Sequence, residues 1–176
     1  MVYYRVCLQN TIERPWTNME PVYIGDVPKG LGTPSHYCTV ERGKEPFQLE
    51  PFRLLNLYGA SQFADAQIWQ TWLVLGFGSF IYFVPLEEGK PIYYDIGYFW
   101  SLYPTDDVML ATSVSNVSCY NQQARQLWKS EWLGYHGVQI SDVQAGRVTG
   151  MGNYPPFDEP AGQIPFVLSL DTGKII

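Results

Sequence analysis

Val2 to Leu8 alternates loosely between apolar and polar positions and predicts a strand. A Pro- and Gly-rich region runs from Pro15 through Pro34, interrupted by a short strand at Pro21 to Ile24 that Gly25-Asp26 closes as a turn signal. His36 to Glu41 reads as a strand ended by Arg42-Gly43-Lys44. Phe47 to Tyr58, with Phe52, Leu54, Leu55 and Leu57, fits a strand or a short helix equally. The pattern is clearest further on. Trp69 to Phe77 and Ser79 to Leu86 are rich in aromatic and β-branched residues, Glu87-Glu88-Gly89-Lys90 is a polar turn, and Pro91 to Ile96 supplies the next strand. Asp107 to Thr112 adds one more.

Between Ser115 and Leu133 the spacing changes. Val117, Tyr120, Ala124, Leu127 and Trp128 recur every three or four residues, which predicts a helix with one apolar face. Ser113 or Ser115 can cap its N-terminus by accepting from unpaired backbone N–H groups, and Gly134 suits the left-handed residue that ends it. Beyond Gly134 the chain is rich in Gly and Pro, with one strand expected at Pro165 to Leu170. Val143 to Gln163 is long for a loop in a compact domain. The expectation is one α+β domain over residues 1–176. It comprises an antiparallel β-meander of about five to six strands with one main helix from the C-terminal half packed on it. The sheet-and-helix core would span about residues 1–133 and the Gly/Pro-rich tail residues 134–176.

Composition adds two points. Charged residues make up 16% of the chain, below the usual share of about 25%, while six Trp, thirteen Tyr and nine Phe take their place. That many rings suggests an aromatic surface patch in addition to a large core. The net charge is −6, with 11 basic residues against 17 acids and no basic run, which argues against nucleic acid as a partner and suits a basic protein. Met1 is followed by Val-Tyr-Tyr-Arg-Val-Cys rather than a basic segment and a long apolar stretch, so no signal peptide is expected. Gln70, Gly76, Gly78 and Ser79 interrupt the most apolar stretch, Ile68 to Leu86, which argues against a membrane span. Three scattered cysteines, Cys7, Cys38 and Cys119, read as reduced, buried thiols in a cytoplasmic protein.

Candidate chemistry is sparse. His36 and Cys38 would share a face of one strand, but a nucleophilic thiol also needs a group that orients its base. His136, beside Gly137, reads as a turn residue. Gly76-Phe77-Gly78 lacks the third glycine and the helix of a dinucleotide loop, and no carboxylate sits with a histidine at metal-ligand spacing. No catalytic residue, metal or cofactor is expected.

One arrangement resembles a known family. Trp72-Leu73-Val74-Leu75-Gly76, Ile81-Tyr82-Phe83-Val84, Gly89-Lys90-Pro91-Ile92-Tyr93-Tyr94-Asp95 and Met109-Leu110-Ala111-Thr112-Ser113 before a helix are similar to the core of the SUKH superfamily. Gly30-Leu31-Gly32 is similar to an early Gly-Leu-Pro step in that family, with proline delayed to Pro34. The resemblance covers about residues 28–133. It departs from the family at Ser79-Phe80, where acids are usual, and in lacking a clear N-terminal helix. It implies a bacterial immunity protein that binds and neutralises a toxin, often a nuclease. Glu87, Glu88, Asp95, Asp106 and Asp107 would then supply charge towards a basic toxin, and Tyr94, Tyr98 and Trp100 would serve as anchors. Two other readings stand beside it. One is a carbohydrate- or small-ligand-binding module that uses exposed Trp and Tyr. The other is an unrecognised enzyme built on Cys38, His36 and the loop around His136.

Overall fold

The computed structural model of the chain describes residues 1–155 and 162–176. Its regular structure is almost wholly strand, arranged in four antiparallel or mixed sheets that follow one another in chain order. The first sheet holds β1 (Tyr3–Gln9), β2 (Val22–Gly25), β3 (His36–Glu45) and β4 (Gln48–Tyr58) in the spatial order β1-β3-β4-β2, with β2 parallel to β4. The second is a meander of β5 (Ala64–Trp69), β6 (Trp72–Phe77), β7 (Phe80–Pro85) and β8 (Ile92–Asp95). The third repeats that meander with β9 (Phe99–Pro104), β10 (Val108–Ser113), β11 (Val117–Asn121) and β12 (Gln126–Lys129). The fourth comprises β13 (Val138–Gln144), β14 (Arg147–Asn153) and β15 (Gln163–Ser169), and Ile175 pairs with Leu168 along its free edge.

Three apolar cores lie between successive sheets, and strand periodicity assigns residues to them. Along β6, Leu73, Leu75 and Phe77 point to the core shared with the first sheet, while Val74 points to the core shared with the third. Along β7, Tyr82 and Val84 face the first sheet, and Ile81 and Phe83 face the third. In the third sheet Met109, Ala111 and Tyr120 face back to the second, whereas Leu110, Val117 and Cys119 face the fourth. The opening strands of the sheets adjoin in turn, β1 beside β5, β5 beside β9 and β9 beside β13. Three four-stranded sheets and one three-stranded sheet thus stack face to face with their first strands adjoining in turn, as neighbouring blades do in a β-propeller.

Turn chemistry sets the register. Ala145 and Gly146 both have positive φ, 49° and 74°, the conformation of a two-residue hairpin loop whose twist matches its strands, and Gln144 accordingly faces Arg147. Gly78, at φ 60°, takes the first position of the two-residue β6–β7 loop, which has positive φ at that position alone.

The α+β expectation is corrected here to an all-β architecture: residues 115–133 form no helix. They make β11, a turn and β12, antiparallel to each other. The Asn121 side chain accepts from the backbone N–H groups of Gln123 and Arg125 at 3.0 and 2.9 Å, which turns the chain back. Ser113 does satisfy orphan N–H groups, those of Ser115 and Asn116, but in the β10–β11 turn rather than at a helix start. Gly134 has no positive φ; it lies where a Cβ would reach within 3.0 Å of the Asn153 backbone nitrogen. The segment read as a tail supplies the fourth sheet. The part of the expected Val143–Gln163 loop at residues 156–161 lies outside the described residues. Among the described residues no helix is long and apolar enough to cross a membrane.

Candidate functional site

Alternating strand direction gives the stack two rims. The hairpin rim carries the β5–β6, β7–β8, β9–β10, β11–β12 and β13–β14 turns. The crossover rim carries the β6–β7 and β10–β11 turns and the passages between sheets. Four of the acids singled out in the sequence share the hairpin rim: Glu87 and Glu88 in the β7–β8 turn, Asp106 and Asp107 in the β9–β10 turn. Asp95 sits at the opposite rim, where its Oδ1 accepts from Gly97 N–H at 2.9 Å.

Amide and indole donors hold the hairpin rim in place. Trp69 Nε1 donates to Thr105 O at 2.7 Å, and Gln70 Nε2 and Gln122 Nε2 donate to Asp106 O at 2.8 and 3.2 Å. Arg53 Nη2 donates to the carbonyls of Leu86 and Glu87 at 3.1 and 3.2 Å. These contacts use backbone oxygens, so they position Asp106 and Glu87 without occupying the carboxylates. Arg42 lies 3.5 Å from Glu87, an exposed ion pair of little energetic weight.

The aromatic anchors expected from the sequence are engaged internally. Tyr94 donates its hydroxyl to Ala124 O at 2.9 Å, and its ring lies 5.1 Å from that of Tyr120. Tyr98 Oη accepts from Gln62 N–H at 2.8 Å. Trp100 stacks on Phe63 at 4.2 Å and covers Gly137, where a Cβ would come within 2.8 Å of the indole. The acids and the aromatic residues Tyr98 and Trp100 therefore do not form one patch.

Sequence reasoning missed a cleft at the outer edges of the first two sheets. Tyr23, Asp26, Phe80, Tyr82, Lys90 and Tyr93 line it, and its volume is about 480 Å³. The hairpin register places Tyr82 directly opposite Tyr93, so the β7–β8 turn could have paired these two rings, but not the wall that β2 supplies. The rings of Phe80, Tyr82 and Tyr93 form a triangle with centroid separations of 5.8 to 5.9 Å. Tyr93 is 62% exposed while Tyr82 is 6% exposed, so one ring presents a face to solvent over a buried floor. Burial, with the Asp26 carboxylate and Tyr93 adding to it, pushes the Tyr82 hydroxyl up to about 12, so it remains a donor at neutral pH. Asp26 is set by the turn at Gly25, φ 88°, and by its own N–H bond to Tyr58 O at 3.2 Å. A third aromatic group, Trp132, Tyr135 and Tyr154, lies elsewhere, with ring centroids 3.9 to 5.7 Å apart.

The thiol reading meets an obstacle. Cys38 is fully buried, and burial with the nearby Cys7 pushes its thiol up to about 12; burial does the same to Cys119. Neither offers a thiolate at neutral pH, and Cys7, expected to be buried with them, is exposed on β1. His36 does share the Cys38 side of the sheet, where its ring meets the edge of Phe77 at 5.9 Å. His136 lies against Trp100 with ring centroids 6.4 Å apart. Among the described residues no group of three or more His, Cys, Asp and Glu side chains is placed to hold a metal ion. No protein-family model matches the chain, and no curated protein matches it.

Proposed function

We propose that the protein is a cytoplasmic, non-catalytic binding module that captures a basic protein partner on its hairpin rim and acts as an inhibitor or immunity-like factor. The observation that carries this reading is the convergence of Glu87, Glu88, Asp106 and Asp107 on one rim, from turns of two successive sheets whose backbones are pinned by Arg53, Gln70 and Gln122. Carboxylates carried on turns fixed this way attract a positive surface at long range, in a chain whose net charge is already −6. A nuclease toxin is a fitting partner, because a site built to hold phosphate is basic and an acidic rim can occupy it. The charge arrangement supports this reading. The SUKH-like pattern does not add to it, since its C-terminal helix falls on the β11–β12 hairpin.

The test is affinity capture from the native host at low and at moderate salt, followed by kinetics with the retained protein. A stoichiometric basic protein should be released by salt. Its association rate should fall on the order of tenfold when Glu87, Glu88, Asp106 and Asp107 are changed together to Gln and Asn. A partner whose association ignores both salt and those four substitutions removes the rim from the function.

A further inference from the structure

Independently of the basic partner, we propose that the cleft between β2 and β8 is a binding site for a neutral saccharide of about two rings. Its volume of about 480 Å³ lies within the roughly 300–1,000 Å³ of small-molecule sites. The shape and chemistry of the walls narrow the ligand. Tyr93 offers an exposed aromatic ring, with Phe80 edge-on to it at 82° and Tyr82 tilted by 38° at the buried floor, so the cleft presents ring surface on more than one wall. A pyranose presents C–H groups on its faces, which lie well against such rings, and hydroxyls around its rim, which need donors and acceptors in the plane.

The polar groups stand at the two ends of the cleft. Asp26 follows β2 at the crossover rim, and Lys90 precedes β8 at the hairpin rim. The carboxylate accepts from hydroxyls and the ammonium donates to them, while the phenols of Tyr82 and Tyr93 can do either. One acid and one base leave the cleft without net charge. A cation would gain from Asp26 and lose at Lys90, and an anion the reverse, whereas a neutral polyol can use both. The spacing between the ends also suits two rings, since the four residues of β8 extend roughly 13 Å at the usual strand rise.

The experiment is titration calorimetry of the intact chain against gluco-, galacto- and manno-configured disaccharides. Choline, inorganic phosphate and a zwitterionic tripeptide serve as charged comparisons. One saccharide series should saturate, with a Kd between about 10 μM and 1 mM. Tyr93→Ala should weaken it at least tenfold, and Asp26→Asn and Lys90→Gln several-fold each. All three positions lie at the surface, so unchanged thermal unfolding of these variants separates lost binding from lost fold. The proposal is overturned by absence of saturation with every saccharide, by binding that Tyr93→Ala and Asp26→Asn leave intact, or by tighter saturation with choline, phosphate or the peptide. Failure here leaves the hairpin-rim reading standing, because its four acids line no part of this cleft.

Discussion

Gly76 is the position where the stacking of sheets is most exposed to a single methyl group. It lies on β6 on the side facing the third sheet, and an added Cβ would fall 2.0 Å from Phe99 Cε2, with Cζ at 2.2 Å and Cδ2 at 2.3 Å. Ordinary carbon contacts need about 3.5–4.0 Å, so the ring would have to retreat by about 1.5 Å. Phe99 is fully buried in the core between the second and third sheets and has no open space to enter. Gly76 has no positive φ, so backbone strain adds nothing and the penalty is steric. Overpacking of this kind costs about 1–3 kcal/mol, and three clashing ring atoms place Gly76→Ala at about 3. For a chain of this length that lowers Tm by roughly 6–12 °C. Phe99→Leu alone should cost less than the about 3–5 kcal/mol of Phe→Ala. In the Gly76→Ala/Phe99→Leu pair the new methyl fills part of the vacated space, so the double variant should recover about 1–3 kcal/mol relative to the sum. Urea unfolding followed by tryptophan fluorescence reads all three variants. Strict additivity, or a loss below about 0.5 kcal/mol for Gly76→Ala, would refute the packing argument.

Two further outcomes follow from buried polar groups. Thr112 is fully buried and its hydroxyl has no hydrogen-bond partner among the described residues, so Thr112→Val should stabilise the protein by about 1 kcal/mol, read as a higher urea midpoint at unchanged m. Cys38 and Cys119 keep their protons to about 12 in the fold, against 9.0 ordinarily. The unfolded chain therefore releases protons first as pH rises. Stability present below about pH 9 should then fall between 9 and 12, by up to about 1.4 kcal/mol per pH unit for each thiol. Urea midpoints from pH 7 to 10.5 should show this decline, and Cys119→Ala should make it shallower while leaving the share of Cys38.

The middle of the chain was legible because its turns announce themselves. Glu87-Glu88-Gly89-Lys90 and Gly78 bracket β7, and aromatic and β-branched residues fill the strands between. What concealed β11 and β12 was burial on both faces. Val117, Ser118, Cys119 and Tyr120 are all buried, because alternate residues enter different cores, and the polar alternation that marks a half-buried strand is lost. The remaining spacing of Val117, Tyr120, Ala124 and Trp128 then imitates a helical stripe. Ala124 is in fact a turn residue with φ 58°, and Asn121 was the overlooked signal. Glycine misled in the last third for a related reason. Gly150 and Gly152 lie within β14, where a Cβ would collide with Gln139 O and Leu133 O. These glycines permit close approach of neighbouring chain and are no mark of a loop. The acids of the hairpin rim could be grouped from the turns alone. The cleft could not, since it needs β2 brought beside β8 by a parallel pairing that no local pattern encodes.

Each apolar core belongs to two adjacent sheets only, so the molecule behaves as a short linear chain of coupled units. Its cohesion is a sum of nearest-neighbour terms. The second and third sheets are each clamped on both faces, whereas the first and fourth share a core on one face. Amide exchange should therefore be graded along the sequence, slowest in β6, β7, β10 and β11 and faster towards either terminus. Loosening begins at an end and travels inward one sheet at a time, and the fourth sheet can open without disturbing the seam where the cleft lies.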